Sequence, residues 1–171
     1  MPRIFAALAA GVSLAALTGG ALADDMPKLP RTSVWTAYDL GSSGYAEAAG
    51  IGNAFQSTFG MRVRIIPSGT SIGRLLPLTT GKATYGFLAN EAFFATEGVY
   101  DFAVPEWGPQ DLRIISGRLA TAGLATAGDI GVKEISDLKG KRIGYVKGNP
   151  SVNVKTDAYL AFGGLTQDDV Q

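Results

Sequence analysis

Beyond residue 30 the hydrophobic pattern switches repeatedly between a short β-type period and a helical one. "SVWTAYD" (33–39) predicts a first strand, and "YAEAAGIGNAFQSTFG" (45–60) a helix closing on Gly60. In that helix the apolar or small positions Ala48, Ile51, Ala54, Phe55 and Phe59 fall close to i, i+3, i+4 spacing. "MRVRIIPSG" (61–69) predicts a second strand, with Val63 and Ile65 on one face and Pro67 and Gly69 as its stop. "TSIGRLLPLTTGK" (70–82) reads as a short helix capped by Thr70 or Ser71 and curtailed by Pro77. "ATYGFLA" (83–89) is a third strand and "NEAFFATEG" (90–98) a third helix, with Asn90 as its cap. After a Gly/Pro loop at 101–111, "LRIISGRLATAGLATAG" (112–128) holds two β-like runs, Leu112–Ser116 and Leu119–Thr126. "KEISDLKGKRIGYVKGNP" (133–150) gives a one-turn helix, a stop at Gly140 and a strand over Arg142–Val146. "SVNVKTDAYLAFGG" (151–164) is a last helix ended by Gly163 and Gly164, with Pro150 at its first position.

Strands alternating with helices at this spacing predict an α/β fold: βαβ units, a mostly parallel sheet and helices on both faces. In such sheets ligands collect where helix N-termini meet the carboxyl ends of strands. Strand-to-helix turns rich in small polar residues lie at Gly41–Tyr45, Ser68–Ser71, Ala89–Glu91 and Gly148–Ser151. Any one of them is explained by ordinary turn and cap preferences. Together, opening towards one sheet edge, they suggest a concave binding site rich in free amides.

The turn "GSSG" does not fit a nucleotide. A Walker loop needs G-x-x-x-x-G-K-[ST], and no Lys follows Gly41 or Gly44 at that distance. The spacing of Gly41, Gly44 and Gly50 also misses G-x-G-x-x-G. A single carboxylate asks less: amides at a helix start plus the hydroxyls of Ser42 and Ser43 suffice. Ser68, Gly69, Thr70 and Ser71 repeat the theme, and Lys147, Asn149 and Ser151 surround the last turn. Asn90 is suited to donate to a carboxylate or hydroxyl and Glu91 to accept a ligand amine. A helix cap and a first-turn acid would explain the same pair. Tyr85, Phe87, Phe93 and Phe94 read as core rather than as a ligand platform.

Composition narrows the chemistry further. The 171-residue chain carries 15 Lys+Arg against 15 Asp+Glu, so no bulk field recruits nucleic acid or an anionic membrane. It has no His and no Cys, which removes the commonest general base, the thiol nucleophile, disulfides and the usual zinc ligands. No carboxylate pair, Ser–Lys dyad or metal cluster stands out, and no cofactor is expected. An enzyme with Glu91 or Asp39 as acid–base is the subordinate reading, and a sensor module that presents a ligand lobe is another. Residues 1–23 differ from the rest: Arg3, the apolar "IFAALAAGVSLAAL" and the small-x-small "ALA" read as a secretory signal cleaved after about Ala23. The apolar run is shorter than the ~20 residues that span a bilayer. The expectation is therefore an exported, periplasmic domain over 24–171.

The order of these motifs resembles the TAXI family, the solute receptors of tripartite ATP-independent periplasmic (TRAP) transporters. The resemblance rests on "GSSGYAEAAG", "VRIIPSGTSIGRLLPLTTGKATYGFLANEAF", "LRIISGRL", "ISDLKGKRIGYVKGNPSVNV" and "GGLTQDDV". "DLKGKRIG" is shared widely among type II periplasmic binding proteins, whereas the order of all the blocks is more specific. It implies one lobe of a type II-like clamshell that captures an organic acid or amino acid, glutamate or a related carboxylate, for a membrane permease. The ligand-facing loops would fall on Gly41–Tyr45, Ser68–Ser71, Asn90–Glu91 and Asn149–Ser151. Two departures stand out: Ala89-Asn90-Glu91 replaces a Gln-Ser-Asp turn, and Thr126 stands where relatives often place an Arg before "DLKG". Losing that Arg removes a bidentate carboxylate clamp. Relatives are also about twice as long, so the resemblance implies a second lobe that this chain does not include.

Overall fold

The computed structural model describes residues 27–171. The expected secretory signal therefore lies outside the described residues. The centre is a three-stranded sheet of β1 (Thr32–Ala37), β2 (Arg62–Pro67) and β3 (Tyr85–Gly86), in the order β2-β1-β3. All pairings are parallel: Thr32 faces Arg62 at one end of the first pair and Ala37 faces Pro67 at the other, while Trp35 and Thr36 face Tyr85 and Gly86. The fold is α/β, and the carboxyl ends of the strands share one edge.

The pleat of β1 sorts the helices. Successive side chains of a strand point to opposite faces. Trp35 meets Phe55 of α1 (Ser43–Phe59) edge-on at 5.7 Å, and Val63, on the same face, lies under Gly52 of that helix. Thr36 points the other way, beside Leu78 of α2 (Ser71–Thr79) near Gly86. Helices therefore cover both faces of the sheet. α1 ends where the sequence says it should: Gly60 adopts φ 70°, and its amide donates to the Gln56 carbonyl. α2 starts with the Thr70 side chain accepting from the Gly73 amide and retains Pro77 within its last turn.

Two apolar clusters follow. Leu75, Phe94, Ala95 and Phe102 form the larger one, between α2, α3 (Glu91–Glu97) and the 3-10 turn at Tyr100–Phe102. Leu138, Leu160 and Leu165 form the smaller, where α4 (Pro150–Phe162) lies against the 3-10 turn Ile135–Leu138. Among the described residues no helix is long and apolar enough to cross a membrane.

Several expectations are corrected here. β3 holds two ladder residues, not seven. Residues 112–128 form no strand; Ile114, Ile115 and Leu119 project into solvent from a course that pairs with no strand among the described residues. Local β propensity does not make a strand without a neighbour to complete its ladder. Arg142–Val146 is likewise outside any sheet, and the Lys141–Ile143 stretch bonds to the terminal residue instead, Ile143 N–H to the Gln171 carbonyl and Gln171 N–H to that of Lys141. Tyr85 and Phe93, expected in the core, are largely exposed, whereas Phe94 is buried and Phe87 half-buried.

Candidate functional site

Parallel strands deliver the first three polar turns to one edge of the sheet, after Ala37, Pro67 and Gly86. The fourth arrives by hydrogen bonding. Ser71 Oγ donates to Asn149 Oδ1 at 2.7 Å, Asn149 Nδ2 to the Gly69 carbonyl at 3.4 Å, and the Ile72 amide to the Gly148 carbonyl at 3.3 Å. Ser151 Oγ donates to Asn90 Oδ1, and Asn90 Nδ2 returns a bond to the Ser151 carbonyl. The second, third and fourth turns are thus stitched across 61 to 80 residues of sequence.

Beneath them lies an ion pair. Arg74 (1% exposed) and Glu91 (0%) face each other from the first turns of α2 and α3, with Nη2 2.6 Å and Nε 3.2 Å from Glu91 Oε1. The other carboxylate oxygen accepts the Ala89 amide at 2.9 Å, and Arg74 Nη1 donates to the Ser68 carbonyl at 3.0 Å. The guanidinium carbon also sits 3.9 Å above the centre of the Tyr38 ring. Tyr38 in turn lies against Gly44: a Cβ there would come within 2.9 Å of the ring Cγ, so only glycine lets the first turn approach. One guanidinium thereby touches partners in the second and third turns and, through the Tyr38 ring, the residue on which the first turn packs. Burial raises the Tyr38 phenol above its ordinary 10.0; Glu91 adds to the rise and Arg74 opposes it.

This arrangement changes the assignment of several predicted residues. Glu91 is committed to Arg74 and the Ala89 amide, so its carboxylate is not free for a ligand amine. Asn90 is not a side-chain cap: its backbone is already helical (φ −62°, ψ −16°), and its side chain reaches Ser151 instead. Ser42 and Thr70 act as N-caps, accepting from the Tyr45 and Gly73 amides. Ser71, Asn149 and Ser151 spend their side chains on one another's turns. Thr126 lies on the exposed 112–128 segment, and no hydrogen bond ties it to the turns. Ser43, Gly44 and Gly69 keep backbone amides that donate to nothing among the described residues and are open to solvent at least in part, whereas Ser71 is fully buried and presents no amide to a ligand. Those amides are the anion-seeking groups of this edge.

Tyr38, Arg74 and Arg118 are the residues that motif reading overlooks. Arg118 brings the exposed segment back over the start of α1 through Glu47, with Nη2 2.5 Å from Oε1. Arg74 and Glu91 did carry a signal. Ser71, Arg74, Leu75 and Leu78 fall at i, i+3, i+4, i+7, and Glu91, Phe94 and Ala95 at i, i+3, i+4, so each charge sits on its helix's apolar face. A cavity of about 300 Å³ lies elsewhere, on the flank between α1 and β2, lined by Tyr45, Asn53, Gln56 and Arg62 among others. Tyr45 therefore lines that groove. No group of three or more metal-ligating side chains occurs among the described residues.

No protein-family model, curated protein or solved structure matches the chain.

Proposed function

We propose that the chain is an extracytoplasmic solute receptor of the TAXI type, with one wall of a type II periplasmic-binding-protein cleft formed by its four polar turns. In this reading it captures a small carboxylate or amino acid in the periplasm and delivers it to the membrane permease of a TRAP transporter. Its partners are a small ligand and that permease, not nucleic acid, and it needs neither a cofactor nor a catalytic residue.

The observation that carries the reading is the convergence of the turns at Gly41–Tyr45, Ser68–Ser71, Ala89–Glu91 and Gly148–Ser151, the last three held by Ser71–Asn149 and Asn90–Ser151 and the first packed through Gly44 on Tyr38, which covers Arg74. The turns' side chains are mostly spent on one another or on capping their own helices, while the amides of Ser43, Gly44 and Gly69 stay free. Rigid amides at helix starts favour a carboxylate without requiring a cation for each oxygen.

Thermal unfolding against a panel of carboxylates and amino acids tests it. A ligand present at 100 times its Kd stabilises the native state by about 2.7 kcal/mol. For a chain of 171 residues that raises Tm by roughly 5–11 °C. A flat response across the panel refutes the receptor reading.

A further inference from the structure

The carboxylate-receptor reading leaves open how many ligand carboxylates the site accepts, and the Arg74–Glu91 pair bears on that. We infer that Glu91 is a specificity-determining residue: by neutralising Arg74 beneath the turns, it restricts the site to ligands with a single carboxylate. The inference rests on that reading of the turns.

An unpaired arginine at the floor of a carboxylate site would select a second anionic group, because the guanidinium matches carboxylate geometry with two parallel donors. Here that capacity is already used. Nε and Nη2 are held by Glu91 Oε1, Nη1 by the Ser68 carbonyl, and the ring of Tyr38 covers one face. Both charged side chains are shut off from solvent, Arg74 at 1% and Glu91 at 0% exposure. Glu91 is held from its other oxygen by the Ala89 amide, so it stays in place as an internal carboxylate.

The remaining charges around the turns do not replace Arg74. Arg118 is paired with Glu47. Lys147 is solvent-exposed, and Asp39, also exposed, lies beside Gly69 at the second turn. A second ligand carboxylate beside the second turn would thus meet the Asp39 carboxylate, a repulsive element, while Lys147 is a solvated point charge rather than a bidentate clamp. The first carboxylate needs only the free amides.

The test compares ligands matched in size and differing in charge: L-glutamine with L-glutamate, L-asparagine with L-aspartate, and butyrate with succinate. Affinities are read by calorimetry and thermal shift at pH 7.5, where every carboxylate is ionised. The wild-type chain should favour the single-carboxylate member of a pair by roughly five- to tenfold, the scale of one water-screened charge contact. Glu91→Gln keeps the shape and removes the charge that neutralises Arg74; its single carbonyl oxygen can accept from the Ala89 amide or from Arg74 but not from both, and the order should reverse by on the order of tenfold. Adding Arg74→Gln to Glu91→Gln removes both charges and should restore the wild-type order. A role confined to stability would weaken both members of each pair alike and leave their ratio unchanged.

The wild-type order does not depend on whether either variant folds. Wild-type preference for the two-carboxylate member overturns the inference and leaves the receptor reading standing. An unchanged order in folded Glu91→Gln does the same. Absence of binding by all six compounds overturns the receptor reading, and the inference falls with it.

Discussion

Removing one member of the Arg74–Glu91 pair is the most informative perturbation of the fold. In Arg74→Met the apolar stem of the side chain is largely retained, but the buried Glu91 carboxylate is left with only the Ala89 amide as partner. Three donors are lost: two to Glu91 and one to the Ser68 carbonyl. Stranding one member of a buried pair costs about 3–5 kcal/mol, because a charge then stays buried without compensation. That is a large share of the ~5–15 kcal/mol that holds a typical domain folded. It corresponds to a fall in Tm of roughly 6–20 °C for a chain of 171 residues. The double variant Arg74→Met with Glu91→Leu removes both charges together. It should be no worse than either single change, since apolar replacement of a whole buried pair is often neutral or stabilising by about 1–4 kcal/mol. Urea unfolding followed by circular dichroism measures all the members of this cycle. An Arg74→Met cost below about 1 kcal/mol refutes the view that the pair is a buried, coupled unit. So does a double variant whose loss equals the sum of the singles.

Further expectations concern single elements. Gly44→Val drives a side chain into the Tyr38 ring and should cost about 1–3 kcal/mol as an overpacking change. In that variant the phenol titration, read by ultraviolet absorbance, should fall back towards its ordinary value as the ring is displaced. In the wild type the stability owed to a neutral Tyr38 is complete below 10.0 and is lost as pH rises through the higher folded value. Leu75→Ala, in the larger core cluster, should cost about 2–5 kcal/mol in denaturant unfolding. The Asp169 carboxyl is held below its ordinary 3.8 by the Thr166 amide, the Lys139 ammonium and the Thr166 hydroxyl. Asp137 is held down by the Lys133 and Glu134 amides. Their contribution is present above 3.8 and fades as pH falls through the lower folded values. The protection of the Thr166 and Glu134 amides, taken relative to their intrinsic exchange rates, should therefore fall in acid, and Asp169→Asn should remove that dependence at Thr166.

Local chemistry predicted much of the framework. Gly60 is confirmed as the stop of α1, Thr70 as the cap of α2 and Pro150 as the first residue of α4, because each choice depends on backbone geometry within a few residues. The parallel order of the strands followed from the helices between them. The runs at 112–116, 119–126 and 142–146 failed for the opposite reason. A strand requires a partner, and the sequence of a run does not say whether one stands beside it.

The site divides in the same way. The sequence alone determined that polar, small-residue turns follow the strands, and that no histidine or cysteine chemistry is available to them. Only the tertiary structure decided which of their groups remain free. Hydroxyls and amides that look ligand-ready in sequence are mostly spent on caps and on bonds such as Ser71–Asn149, formed between residues 78 positions apart. The same holds for charge. The positions of Arg74 and Glu91 on the apolar faces of their helices hinted at burial, but only the fold sets them against each other, and burial converts two solvated ions into one coupled, neutral unit.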